Sequence, residues 1–393
     1  TGTDSVSLSR GRLVLAPRAA WAWVWAAGSA GLVAVDDDQR GLWALGLRRG
    51  SLSRDGDDTV WLESGTTLEP GRRVTVELVG GAFGGWDGVS SLLPAWLPPL
   101  AVRGGEPVDL ALPDAGVVAP ECAVDEGPEG TEIRGAGRRT VAVRGAFGEV
   151  TLELSFARPL AEAVQAAATR LGLEEPKPST AASDGRAAIL DRTARRLVVL
   201  QAAHSHEAAD TVALSLVPAA VELVREEAAT GPFTLVALLG EVQRRDDQDA
   251  LETLLDALPF VQAEAGMALA LTRVWAALWG LGRDPEPVRE ALARVSTPGE
   301  GTRLQGVERE LITGDRDAAR RLLSALGGGL PGSPSPPRHP WETAYAVALA
   351  SLVADDDPGG PSVVQAAEVV ARRLTAAHQE DADVLAWLLL GER

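Results

Sequence analysis

His204-Ser205-His206-Glu207 with Asp210 is the densest group of metal-capable side chains in the chain and holds two of its four histidines. On a helix, His206 and Asp210 would share a face at i, i+4. That spacing fixes no third strong ligand, so the expected role is a polar helix start capped by Ser205, and no metal or other cofactor is expected. Asp36-Asp37-Asp38 and Asp355-Asp356-Asp357 could offer oxygens to calcium, but neither follows calcium-loop spacing, and both read as solvated turn residues. The glycine groups at 80–85 and 327–329 lack the strand–glycine–helix context of a phosphate or dinucleotide site. No Gly-x-Ser-x-Gly elbow is present, and Cys122, the only cysteine, lies in no nucleophile signature. Trp341-Glu342 is different: a 14-residue Gly/Pro-rich stretch, 327–340, delivers an aromatic ring and a carboxylate together at a helix start.

Composition narrows the partners. The 393 residues carry 37 Lys+Arg against 55 Asp+Glu, a formal charge of -18, which argues against a nucleic-acid backbone or an anionic membrane, since each phosphate contact calls for a basic side chain. The acidity is spread along the chain and forms no tail. A lone cysteine excludes an intramolecular disulfide. Lys177 is the sole lysine, and that near-total use of Arg looks like the codon bias of a GC-rich bacterial genome. Ala19 to Val35 is uncharged, but it is shorter than the roughly 20 residues of a spanning helix. Gly28 and Gly31 interrupt it, and Trp21, Trp23 and Trp25 alternate at strand period. No membrane span is expected. A cytoplasmic setting is slightly favoured, with a processed targeting peptide left open because the chain starts at Thr1.

Residues 1–157 hold 24 of the 42 glycines and short apolar stretches between turn signals, the pattern of a β-sandwich-like domain. Alternation is clearest in Arg73 to Leu78 and Val150 to Phe156, while Gly80 to Pro107, rich in Gly and Pro, reads as a loop or a cover over the core. Residues 158–185 read as one helix and a linker. From 186 to 393 the period is 3.6, giving ten or eleven helices, among them 233–245, 260–281 and 341–354, with a break near His378. Three similar segments, at Asp246, Gly282 and Gly314, each place an Asp to cap a helix that leucines then bury. The expected fold is multidomain, β then all-α: a sandwich followed by an α/α helical-hairpin array, as a solenoid or incomplete toroid. Trp275 and Trp279, four apart on an apolar helix, are expected in its core.

A β domain followed by paired helices is similar in outline to glycoside hydrolases with an amino-terminal sandwich and an α/α toroid, the glycogen-debranching type among them. That resemblance implies carboxylates in loops at one end of the toroid acting as general acid and base, with aromatic platforms for the sugar. It makes Glu342 the position most like such a carboxylate, with Glu241, Asp246 and Glu264 as further candidates and Trp341 as a sugar platform. Two functions follow. The first is a non-catalytic interaction protein that presents an acidic helical-repeat surface to a protein partner. The alternative is a glycoside-hydrolase-like enzyme, with carbohydrate as its partner.

Overall fold

The computed structural model describes residues 6–7, 11–13, 21–37, 40–55, 58–62, 67–68, 73, 75–173, 185–297, 301–315, 317–335, 338–354, 356–357 and 359–392. Outside them lie Leu8 and 14–16 of the expected first strands, Asp38, Asp355, and the linker around Lys177. The chain forms two compact units. One comprises 1–157 with 323–339 and 368–377, and the other comprises 158–322 with 340–367 and 378–393.

The first unit is built on two antiparallel-rich sheets. Trp21–Ala27, Ala30–Asp37, Gly41–Arg49 and Glu77–Phe83 run antiparallel in that order. Gly137–Gly145 pairs with Gly148–Ala157 in the other sheet, where Ala101–Arg103 adds a parallel edge. Trp23, Trp25, Leu32, Val143, Leu152 and Phe156 share one buried core. The alternation at Arg73 to Leu78 does not produce its strand there; the strand is Glu77–Phe83. Gly80 lies so close to the neighbouring strand that a Cβ would stand 1.9 Å from the Ala44 carbonyl oxygen, so only glycine lets the two backbones pair. The rest of 80–107 covers the core as expected, burying Leu92 and Leu100 and including a short helix, α1 (Trp86–Ser90).

The stretch 327–340, read as flexible or extended, is ordered wherever it is described. Gly327, Gly328 and Gly329 all adopt positive φ, and side chains at the first two would collide with Trp23 and Trp86. Trp23 Nε1 donates to the Pro331 carbonyl at 3.1 Å, and Ser333–Pro334 adds a strand beside Trp21–Ala27. Asp36 is not solvated: it is buried and accepts from Ser324 Oγ at 2.5 Å.

The helices that follow are α2 (Leu160–Leu173), α3 (Arg186–Ala202), α4 (His206–Arg225), α5 (Pro232–Arg245), α6 (Gln248–Ala257), α7 (Met267–Gly280), α8 (Glu286–Val295), α9 (Arg303–Thr313), α10 (Ala318–Ala325), α11 (Pro340–Leu349), α12 (Gly360–Ala377) and α13 (Ala382–Leu390). With α2 the described helices from 158 onward number twelve. Within the second unit, alternate helices are neighbours: α3 packs on α5, α5 on α7, α7 on α9, α11 on α13, and α13 returns to α3. A hydrogen bond from Tyr345 on α11 to Glu308 on α9, 2.5 Å long, closes the cycle. The hairpin array is therefore a ring, with α2, α4, α6 and α8 packed against its members. The three repeated segments open the even-numbered helices: Asp247 accepts the Ala250 amide, Asp284 the Glu286 amide and Asp315 the Asp317 amide. No helix among the described residues is long and apolar enough to cross a membrane.

Candidate active site at the amino-terminal ends of the ring helices

The expected helix 260–281 is interrupted where it matters most. A 3-10 turn at Leu258–Phe260 ends the preceding helix, residues 261–266 are non-helical, and α7 begins at Met267. Gly266 has φ 82°, and a Cβ there would lie 2.5 Å from the Trp387 ring, so glycine is required both for the turn and for the ring beneath it. The loop carries Glu264 to the end of the ring at which α5, α7, α11 and α13 begin.

Three carboxylates are held beside it. Asp191, in the second turn of α3, is buried and accepts the Phe233 and Thr234 amides at 2.9 and 3.2 Å, two of the unpaired donors that open α5. Glu308 of α9 is buried and accepts the Gly266 and Leu269 amides at 3.0 and 2.9 Å, besides the Tyr345 hydroxyl. Each acid therefore sits against a helix amino terminus, where the dipole favours negative charge. Asp383, in the first turn of α13, shares Arg195 with Asp191: the guanidinium lies 3.4 Å from one carboxylate and 3.3 Å from the other.

An aromatic layer supports these charges. Trp387 is buried, meets Phe233 edge-on at 4.8 Å, touches Tyr345, and is stacked by Trp341 at 5.8 Å between centroids. The Arg195 guanidinium lies 4.9 Å from the centre of the Phe233 ring. Trp341 is half-buried, so part of its ring remains at the surface. Thr230 Oγ1, Thr234 Oγ1, Arg195 Nε and Trp387 Nε1 are buried here without a hydrogen-bond partner among the described residues, a concentration that native interiors normally avoid outside functional sites.

The electrostatics single out Glu264. Among the described residues its carboxylate has no hydrogen bond or ion pair. Although its side chain reaches solvent, the surrounding protein desolvates it, and the charges of Asp191 and Glu308 raise it further against the opposing pull of Arg195, to a pKa of about 7. Burial also raises Asp191 and Glu308, opposed by Arg195 in the first case and by the Tyr345 hydroxyl in the second. Tyr345 is pushed well above an ordinary phenol by its own burial and by Glu308.

Of the residues singled out in sequence, Glu264 and Trp341 meet at this end of the ring. Glu342 belongs to it by position, half-buried in the first turn of α11. Glu241 and Asp246 lie at the opposite end of α5. Glu241 is fully buried and bound by Arg244 at 2.7 Å and by Gln201 at 2.7 Å, and Asp246 ends the helix in a left-handed conformation, φ 55°. Asp191, Arg195, Glu308 and Asp383 were not anticipated; the one local signal was the i, i+4 spacing of Asp191 and Arg195, which is common on any helix. Asp210, considered as a metal ligand, instead pairs with Arg244 and Arg245. No three metal-capable side chains gather among the described residues. Trp275 and Trp279 are not core residues: they stack on each other at 6.0 Å on the surface of α7, with Trp279 67% exposed.

No protein-family model matches the chain, and no curated protein matches it in sequence. Among solved structures, a polysaccharide lyase shares its fold with a TM-score of 0.50 at 11% identity, over 95% of this chain and 66% of the lyase. The chain thus spans just under two thirds of that neighbour's length, and the likeness establishes a fold of β sheets followed by a helical array.

Proposed function

We propose that the protein is a carbohydrate-processing enzyme that cleaves glycosidic linkages by general acid–base catalysis at the amino-terminal ends of the ring helices. Glu264 carries this reading: an unpaired carboxylate that reaches solvent, with a pKa of about 7, can both give and take a proton near neutrality. Trp341, stacked on the buried Trp387, supplies an apolar surface for a sugar ring, and Arg195 with its two carboxylates offers partners for hydroxyl groups. The shared fold with a polysaccharide lyase supports this alternative over the interaction-protein expectation, for which no partner surface has been identified.

The experiment is turnover of a panel of neutral and acidic polysaccharides, reading new reducing ends and ultraviolet-absorbing unsaturated ends in parallel. Reducing ends alone mean hydrolysis; both together mean elimination. Wild-type turnover that Glu264→Gln abolishes is the expected result, and a wild type inactive on every member of the panel rejects the proposal for those substrates.

A further inference from the structure

In the β unit, a cavity of about 270 Å³ lies among Arg54, Thr140, Thr151, Glu153, Ser155 and Arg373. Thr140, Thr151 and Glu153 are exposed at its rim, so it opens to solvent. Arg373 forms one wall. Its Nη1 donates to the Leu330 and Gly332 carbonyls at 2.8 and 3.4 Å, and among the described residues no carboxylate lies within ion-pair distance of it. Burial draws its pKa down to about 10, with Glu153 opposing from farther away. A guanidinium so placed is costly, because five N–H donors and a full charge are removed from bulk water and two carbonyls satisfy only part of them. Arg54 forms the opposite wall, its own guanidinium held by Ser333 Oγ and by the Pro334 carbonyl at 3.2 Å.

The lining therefore holds two arginines against Glu153, one net positive charge in a chain whose formal charge is -18. Arg138 touches Glu153 from outside the lining at 3.8 Å, but both side chains are more than half exposed, so that contact is weak. From this arrangement we infer that the cavity is a second binding site, separate from the Glu264 cluster, for a small hydroxylated monocarboxylate. The carboxylate would lie between Arg54 and Arg373, the geometry that arginine pairs favour. Thr140, Thr151 and Ser155 would exchange hydrogen bonds with the ligand's hydroxyls, and Glu153 would accept from them while disfavouring a dianion. The volume falls just below the roughly 300–1,000 Å³ of ordinary small-molecule sites, which limits the ligand to about one sugar ring.

Calorimetric titration of the full chain with glucuronate, glucose and inorganic phosphate tests this. Glucuronate should bind, glucose should not, and phosphate should bind more weakly than glucuronate. Arg373→Met should weaken glucuronate about tenfold or more, the loss expected for charge-assisted hydrogen bonds. Arg54→Gln, at the partly exposed wall, should do the same and serves if Arg373→Met does not fold. Binding of glucose equal to that of glucuronate, phosphate binding as tightly as glucuronate, no glucuronate binding at all, or glucuronate affinity unchanged in the folded variants would each overturn the inference.

Discussion

The two ends of α5 carry the same residue types in opposite states. At its carboxyl end Glu241 and Asp210 share Arg244 and Arg245, two acids against two bases, and Gln201 takes a remaining lone pair. At its amino end Asp191, Glu264, Glu308 and Asp383 gather around Arg195, and Glu264 and Glu308 have no cation as a direct partner. The first cluster is balanced and locks α3, α4 and α5 together. The second holds excess negative charge against backbone amides, which is how protein surroundings bring a carboxyl group toward neutral pH. Carboxylate content alone therefore does not locate a site; the local ratio of acid to base does.

The comparison breaks most decisively on turnover. Glu264→Gln is expected to lower the rate by about a hundredfold to ten-thousandfold, whereas Glu241→Gln should leave the rate per folded molecule unchanged, both measured on any polysaccharide the wild type cleaves. Equal losses would mean that the two ends do not differ in kind. Next in size is a stability effect. Glu308→Ala leaves two helix-start amides and the Tyr345 hydroxyl unpaired in the interior, and should cost about 2–5 kcal/mol in urea unfolding. Glu308→Gln keeps an acceptor and should cost clearly less.

Smaller effects sharpen the assignment of roles. Trp341→Ala should raise KM about three- to tenfold with kcat little changed, the loss of one aromatic contact, as steady-state kinetics would show. A fall in kcat alone would move Trp341 from substrate binding to the chemistry. For Glu264 the sign of the pH effect is fixed by the upward shift. Its folded pKa of about 7 exceeds the ordinary 4.5, so ionisation costs stability that is intact below about pH 4.5 and fully lost above about pH 7. Glu264→Gln should accordingly raise Tm at pH 8 and leave it unchanged at pH 4. The smallest effect belongs to Glu342→Gln, expected to cost about 0.3–1 kcal/mol through the α11 dipole and to leave turnover intact; loss of turnover would place the chemistry on α11.

The order of elements was legible because periodicity reports which face is buried. The Asp-led repeats announced α6, α8 and α10, and the change at Pro159 marked the onset of helix. Closure of the ring was not legible, since it depends on Tyr345 meeting Glu308 across 37 residues and on α13 returning to α3. Counting from 186 also left out α2. The site was half visible: Trp341 and Glu264 were named, but the apolar run of 260–281 concealed the break at Gly266 that makes Glu264 a loop residue. Asp191 and Glu308 have the spacing of ordinary helix residues, and only packing reveals that each faces another helix's first amides. Trp275 and Trp279 misled in the other direction, because aromatic residues on an apolar helix do not say whether anything covers them.

The strand at Ser333–Pro334 has a consequence for synthesis. Trp23 and the carbonyl that accepts its indole N–H are 308 residues apart. At about 5–20 residues per second, the segment that completes this sheet emerges roughly 15 to 60 s after the strand it joins. Throughout that interval the nascent chain carries Trp21–Ala27 as an uncovered sheet edge with three tryptophans, the kind of template to which other chains add. The β unit is thus a late-maturing part of an early-made sequence, dependent on the ribosome, or on a holdase beside it, keeping neighbouring chains apart until Pro334 arrives.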